Sequence, residues 1–316
     1  MKLLITGGSG FIGSNVVSYF ENKYEMMNID KAEPKERRHL KYWKNVDINN
    51  YELLNETISG FDPDYIIHLA ARTDLEGQSL EDYSANIGGV KNILEITKRL
   101  IHLKKIIITS SMLVCHVGYI PKTPFDYSAT TLYGKSKVET ERLTWAADLK
   151  CDWAIIRPTS IWGPGFKVPY RNFFNMVKKR MYFHIGKRGC TKTYGYIGNS
   201  VYQIEQILNG DTTNRGNKVF YIGDMPPINI KEWADQISHE LGFKVPAVPW
   251  LCVKCAAYLG DMLKMVGIKF PMTSFRLKNM TTDNIVDLKP TYNMAPNPPF
   301  TRIEGIRETL RWLENN

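Results

Sequence analysis

Tyr133 and Lys137 stand four apart in Tyr133-Gly-Lys-Ser-Lys137, so on a helix both side chains point to one face. A neutral phenol is a poor base. A lysine one helical turn away favours the phenolate by its charge, and it can also bind ribose hydroxyls. A serine hydroxyl can hold a reacting carbonyl or alcohol oxygen, and Ser111 follows an apolar run that ends near Thr109. Ser111, Tyr133 and Lys137 thus make a set that moves a proton on and off an oxygen while a cofactor carries hydride. Alone, the Tyr-x-x-x-Lys spacing says little, because a packed tyrosine and a surface lysine read the same way. It gains meaning only if the rest of the chain builds a seat for the hydride carrier.

The first thirty residues read as that seat. Lys2 to Thr6 is a short β-forming run, Gly7-Gly-Ser-Gly10-Phe11-Ile12-Gly13 follows at once, and Ser14 to Tyr24 reads as a helix. A second strand, Met26 to Ile29, stops at Asp30. Gly7 can take backbone angles closed to other residues, Gly10 lets the backbone approach a pyrophosphate, and Gly13 lets the helix sit close to the sheet. The helix N-terminus offers unpaired N–H groups to the phosphates. Asp30 lies 23 residues after Gly7, where a carboxylate meets the ribose hydroxyls of NAD. No Gly-Lys-Ser/Thr closes the turn, which argues against a mononucleotide P-loop.

The remaining elements must carry the proton set to that seat. Tyr42 to Val46 is expected as a third strand, with Asp47-Ile48 at its end; Asp47 either meets an adenine amino group or caps a helix starting near Asn50. Asp64 to Ala71 is a nearly pure apolar strand, as a central parallel strand should be, and the small Ala70 and Ala71 leave room for something flat. His68, inside it, reads as a core or hydrogen-bonded histidine. A long helix is expected over 79–100, with Asn86 placed to support the site from below; Gly88-Gly89 inside it implies close packing or a nearby substrate. Lys104 to Thr109 is a fifth strand, and a helix from Tyr133 to about Leu149 is capped by Thr130 or Thr131. Cys151 to Arg157 is a sixth strand.

Beyond Pro169 the pattern loosens. Helices are expected over 170–179, 199–208, 228–241 and 301–313, with short strands over 193–197 and 218–222. Trp250 to Val266 is unusually apolar. Cys252-x-x-Cys255 has no second pair or spaced histidines, so core packing is expected rather than metal or redox work. The alternative for this stretch is an amphipathic helix on a membrane surface, with Lys254, Lys264 and Lys269.

Composition bounds the class. The 316 residues are 43% hydrophobic and 23% charged, ordinary for a soluble globular chain with a real core. No run is long enough to span a bilayer and no signal peptide is expected. Five scattered cysteines imply no disulfide framework, which fits a cytoplasmic protein. The net charge of +9 is dispersed, so nucleic acid is not expected as the partner; part of the charge suits an anionic substrate. No metal site is expected.

The chain resembles the extended short-chain dehydrogenase/reductase family, in its nucleotide-sugar epimerase/dehydratase branch. The family's Gly-x-x-Gly-x-x-Gly matches Gly7, Gly10 and Gly13, and its NAD-selecting aspartate matches Asp30. Asp47-Ile48, His68-Leu69-Ala70-Ala71, Tyr133-Gly-Lys-Ser-Lys137 with Glu141, and Arg157-Pro158 with Gly163-Pro164 match further family segments. The matches cover the first half densely and the second loosely. The resemblance implies an α/β fold: a Rossmann-type doubly wound parallel sheet over 1–165, with possible later returns to it, and a smaller α/β substrate domain over 166–316. It also implies NAD as cofactor, a nucleotide-diphosphate sugar as substrate, and a homodimer through helices 79–100 and 131–148.

Departures from the family narrow the reaction. Sugar dehydratases carry an Asp-Glu pair where this chain has Met112-Leu113, which cannot move a proton, so dehydration is not expected. Cys115-His116 replaces a Tyr-Gly, and the loop from Ser111 to Tyr133 is shorter than in many 4-epimerases. Lys192 stands for an arginine and Asn199 for an aspartate near the substrate; Lys for Arg loses the planar fork that suits diphosphate. Arg276 is the candidate second diphosphate contact, with Lys187 and Arg188 as alternatives. The expected activity is NAD-dependent epimerisation at C4 through a transient 4-keto sugar. The alternatives are an NAD(P)-dependent keto-sugar reductase or dehydrogenase, a hydroxysteroid-type dehydrogenase supported by the apolar stretch, and a non-catalytic NAD-binding protein. Asp30 repels a 2′-phosphate, while Lys31, Arg37 and Arg38 offset that in part.

Overall fold

The computed structural model describes residues 1–315 except 169, 187, 188, 214, 215, 266, 269 and 271, with the side chains of 275 and 279 also left aside. Strand and helix alternate through β1 (Lys2–Thr6), α1 (Phe11–Phe20), β2 (Glu25–Ile29), β3 (Trp43–Lys44), α2 (Tyr51–Phe61), β4 (Tyr65–His68), α3 (Val90–Thr97), β5 (Lys105–Thr109), α4 (Leu132–Trp145) and β6 (Asp152–Pro158). Shorter strands then intervene: β7 (Ser160–Trp162), α5 (Tyr170–Lys178), β8 (His184–Ile185), β9 (Thr191–Lys192), β10 (Tyr194–Tyr196) and α6 (Ile197–Asn209). The chain ends with β11 (Val219–Ile222), β12 (Ile228–Asn229), α7 (Ile230–Glu240), β13 (Ala247–Val248), α8 (Trp250–Met265), α9 (Ser274–Thr281), α10 (Lys289–Met294) and α11 (Arg302–Glu314).

Seven strands form one sheet in the order β11-β6-β5-β4-β1-β2-β3, and every pairing in it is parallel. Successive strand residues face opposite sides. Leu3 and Ile5 pack with Val16, Val17 and Phe20 of α1 and Val201 and Ile204 of α6. Leu4 packs with Leu54 and Ile58 of α2 and Val90, Ile93 and Leu94 of α3. Both faces are sealed by helices, which is why the strands read as apolar runs without alternation. The order reverses between β1 and β4, so a crevice opens beyond their carboxyl ends, where such sheets bind ligands. β11 returns from the second half to the sheet edge beside β6.

Three expectations give way to finer structure. The third strand is only Trp43–Lys44, because Arg37–Tyr42 winds into a 3₁₀ turn that buries His39 against Ser18. The helix expected over 79–100 is continuous over 81–97 but changes pitch, with a 3₁₀ turn at Glu81–Tyr83 and a π turn at Ala85–Gly89 leading into α3. Close packing explains the second glycine of the pair, since a Cβ on Gly89 would lie 2.4 Å from Ile48 Cδ1. Asp47 does not cap α2. Its carboxylate accepts from Asn49 N, and Asn50 is the cap, accepting from Leu53 N.

The second lobe is held by aromatic rings more than by strands. Trp162, Phe173, Phe174 and Tyr194 surround Trp233 at centroid distances of 4.8 to 5.4 Å. Its strands pair only two at a time, β7 with β10, β9 with β12 and β8 with β13. Cys252 and Cys255 are exposed, contrary to the expected core packing, because α8 turns Val253, Ala257 and Gly260 inward instead.

Candidate active site

The crevice between β1 and β4 is lined by the glycine turn. Gly7 has φ +76°, and a Cβ there would sit 2.5 Å from Ala70 N, so no other residue fits without moving β4. A Cβ on Gly13 would lie 2.1 Å from Gly7 O, which is how α1 comes so close to the turn. Gly10 caps α1 with extended backbone and no side-chain bond, its own N–H donating to Gly7 O at 3.1 Å. Asp30 closes the far side: one carboxylate oxygen accepts from Ser9 N at 3.0 Å and the other from Ala32 N at 2.9 Å. Phe11 and Ile12 begin α1, while Lys31 and Asp47 are exposed at the rim. Ile48 is buried beneath it. Leu69 and Ala70 are tied to β1 through Thr6, and Ala71 is half-buried beside them. This floor fits a dinucleotide: a tight turn, a helix end with no side-chain cap, small residues just after β4, and a carboxylate just after β2.

α4 brings the proton set to the inner end of the crevice. Thr131 caps it, its hydroxyl accepting from Gly134 N at 3.0 Å. A Cβ on Gly134 would lie 2.3 Å from Leu113 O, so α4 packs hard on the turn Met112–Val114 that follows Ser111. The Tyr133 phenol is buried beside the Ser111 hydroxyl. Burial pushes the phenol up to about 12, and the neighbouring Ser111 hydroxyl opposes that rise. Lys137 is sealed one turn further on and donates to Thr109 O at 2.9 Å. Burial pushes its ammonium down to about 8, against the pull of Glu141.

Two networks hold α4 in place. Asn86, from the π turn, grips the Arg72 backbone from both sides and donates to Ser136 Oγ at 2.9 Å, and its own carbonyl accepts from Thr140. Glu141 forms a fully buried pair with Arg157 (2.7 Å) and also accepts from Ser110 and Tyr127. Arg157 reaches on to Pro124 O and Tyr221. His68 is buried on β4 and bonded to Thr6 Oγ1 at 2.7 Å, as a core histidine.

The substrate candidates are not brought together with equal force. Lys192 lies half-buried on β9, where desolvation lowers its ammonium. Arg276 is exposed in the first turn of α9. Asn199 is buried; its amide donates to Asp224 Oδ1 and Phe300 O, and its oxygen accepts from Phe300 N. Lys187 and Arg188 lie outside the described residues. The sequence reading missed Asp224, which burial pushes up to about 6. It also missed the Tyr83 ring, 6.2 Å from that of Tyr133. Neither has a spacing signal, since each meets its partner only through the fold. Among the described residues no cluster of three or more His, Cys, Asp or Glu could hold a metal.

The model of the NAD-dependent epimerase/dehydratase family matches residues 3–195. The chain is 25% identical over 319 residues to an N-acetyl-alpha-D-glucosaminyl-diphospho-ditrans,octacis-undecaprenol 4-epimerase of Escherichia coli O157:H7, covering 98% of this chain and 95% of that one. It is 27% identical over 271 residues to a 3-beta-hydroxysteroid dehydrogenase of Mycolicibacterium neoaurum, covering 78% and 72%. The fold superposes on the UDP-glucose 4-epimerase of Thermotoga maritima, solved with UDP-glucose, with a TM-score of 0.74 at 20% identity, covering 100% and 99% of the two chains.

Proposed function

The chain belongs to the NAD-dependent epimerase/dehydratase family, and from that premise we propose that it is an NAD-dependent epimerase inverting C4 of a sugar carried on a nucleoside diphosphate, through a transient 4-keto sugar. The observation that carries this reading is the packing of α4 on the turn after Ser111, which puts the Tyr133 phenol beside a hydroxyl while Met112 and Leu113 offer no acid–base pair. A phenol with a hydroxyl partner can take one proton and return it; it has no second group to expel water.

Bound NAD would supply a reversible hydride acceptor. Gly7, Gly10 and Gly13 with the amides of Phe11 and Ile12 would hold its pyrophosphate. Asp30, with Lys31 beside it, would hold the adenosine ribose, and Asp47 and Ile48 the adenine. Leu69, Ala70, Ala71 and Asn86 would flank the inner half, where Lys137 meets the second ribose. Tyr133 takes the C4 hydroxyl proton and gives it back, and Ser111 holds that oxygen. Lys192 and Arg276 are the cations offered to the substrate diphosphate, and Asn199 braces the same lobe. We also propose a cytoplasmic homodimer joined through the faces of α3 and α4.

A second reading keeps the chemistry and changes the carrier, from a nucleoside to a lipid diphosphate. The relative acting on a diphospho-undecaprenol sugar and the exposed apolar side of α8 favour it. The test is to denature the purified protein, identify any released cofactor, and supply UDP-, GDP-, CDP- and dTDP-sugars and a polyprenyl-diphosphate sugar without reductant. Interconversion of two C4 epimers with NAD released supports the proposal, and the productive carrier separates the two readings. Stoichiometric NADPH consumption on a keto sugar, or oxidation of a sterol, would overturn it.

A further inference from the structure

α8 carries two apolar sides, and only one of them is packed. Val253, Ala257 and Gly260 turn inward onto α9 and the strands below; a Cβ on Gly260 would lie 1.8 Å from Met272 O. On the opposite side Leu251, Cys255, Tyr258, Leu259, Met262 and Met265 recur at helical spacing, all exposed, Leu251 at 69%, Met262 at 66% and Met265 at 88%. Scattered exposed apolar residues need no explanation, but a continuous stripe of them along one helix does.

The charge around the stripe identifies what covers it. Residues 250–281 contain five basic residues, Lys254, Lys264, Lys269, Arg276 and Lys278, and one acid, Asp261. Asp261 is spent inside the lobe, accepting from Ser274 N at 3.1 Å. Lys254, Lys264, Arg276 and Lys278 are exposed, and Lys254 lies over the Tyr258 ring at 5.8 Å. A second copy of this face would bring like charge against like charge. An anionic lipid surface answers both features at once: acyl chains take the stripe and headgroups take the cations. At about 1.5 Å per residue, 16 residues fall short of the roughly 30 Å hydrocarbon core, so α8 would lie in the surface rather than cross it. Among the described residues no helix is long and apolar enough to cross a membrane.

We propose that α8 docks this chain on an anionic bilayer through the Leu251–Met265 stripe. The docking would set the cleft close to the lipid. α9 runs from α8 into Asn284, which accepts from Gly118 N at 3.0 Å in the loop between Ser111 and Tyr133, and from Thr193 N at 2.9 Å. The proposal does not rest on the catalytic reading; it deepens the lipid-carrier version of it.

The test is sedimentation of the full-length chain with vesicles of phosphatidylcholine alone and of phosphatidylcholine with about 30% phosphatidylglycerol. Binding to the mixed vesicles is expected, at least about tenfold tighter than to the neutral ones and weakened by salt. Leu259→Glu/Met262→Glu should lower it by at least about tenfold. Lys254→Gln and Lys264→Gln should each lower it about fivefold, leaving the apolar stripe whole. These positions are exposed, so an unchanged thermal midpoint is expected of every variant. No sedimentation of the wild type, or equal sedimentation of wild type and Leu259→Glu/Met262→Glu, would overturn the docking. So would a lipid-free dimer that this double substitution dissolves. Loss of all epimerase activity would bear on the catalytic proposal and leave the vesicle result standing.

Discussion

Both lobes bury charge, and they satisfy it by different means. In the sheet lobe, Glu141 on α4 meets Arg157 on β6, both essentially without exposure, and hydroxyls of Ser110 and Tyr127 complete the carboxylate. In the second lobe, Asp224 is half-buried and accepts from Tyr196 N at 2.7 Å and Asn199 Nδ2 at 3.0 Å. The first arrangement places opposite charges on two rigid elements in fixed register. The second is made by loop ends reaching back to strand ends, with the carboxyl held against a backbone amide. The consequence is that Glu141 and Arg157 stay charged by pairing with each other. In the second lobe a carboxyl is driven toward its neutral form, up to about 6.

The comparison sharpens most at Tyr133, the proton carrier of the proposed reaction. Tyr133→Phe should lower turnover by roughly a hundred- to ten-thousand-fold, with retained NAD measured in the denatured extract unchanged. Full activity in that variant would remove the phenol from the mechanism. Next comes the buried pair. Glu141→Ala leaves Arg157 charged and unpaired in the core and should cost about 3–5 kcal/mol in urea unfolding.

Asn199→Asp would break the second arrangement. It brings a carboxylate to the 3.0 Å position now held by an amide donor to Asp224, and should cost about 1–3 kcal/mol at neutral pH. The loss should shrink on acidification; an unchanged or stabilised protein at neutral pH would mean that Asp224 does not need this donor.

The smallest effects are opposite pH slopes. Burial, with Lys137 nearby, pushes His68 from 6.5 down to about 3, so the unfolded chain takes up the proton first as pH falls. That contribution to stability is present above 6.5 and lost toward 3. Asp224 is pushed from 3.8 up to about 6, so its contribution is present below 3.8 and lost as pH rises through 6. Unfolding free energies measured in steps across this range should therefore lose their acid-side fall in His68→Asn, and their opposing fall with rising pH in Asp224→Asn. Parallel profiles for the two variants would refute the difference between the lobes.

Much of the sheet lobe was legible because its signals are local. The turn from Gly7 to Gly13, the apolar runs of β1, β4 and β5, and the four-residue step from Tyr133 to Lys137 are each set by backbone geometry within a few residues. Misreadings arose where a contact from far along the chain intervened. The helix expected over 79–100 is continuous from Glu81 to Thr97 but widens to a π turn at Ala85–Gly89, with Ile48 packed against Gly89. Cys252 and Cys255 look like core residues by composition, but Val253 and Ala257 took the inward face of α8. In the second lobe, strands of two or three residues carry too little periodicity to announce themselves.

By itself the sequence determined the glycine turn from Gly7 to Gly13, the alternation of strands and helices around it, and the pairing of a phenol with a lysine on one helical face, since each follows from spacing within single elements. Only the tertiary structure decided that Ser111 meets that phenol through the packing of Gly134 on Leu113. It alone decided that β11 closes the sheet, that Asn199 serves Asp224, and that α8 leaves an apolar side uncovered. These depend on which distant surfaces fit together, and packing complementarity between elements is not written in the order of residues within any one of them.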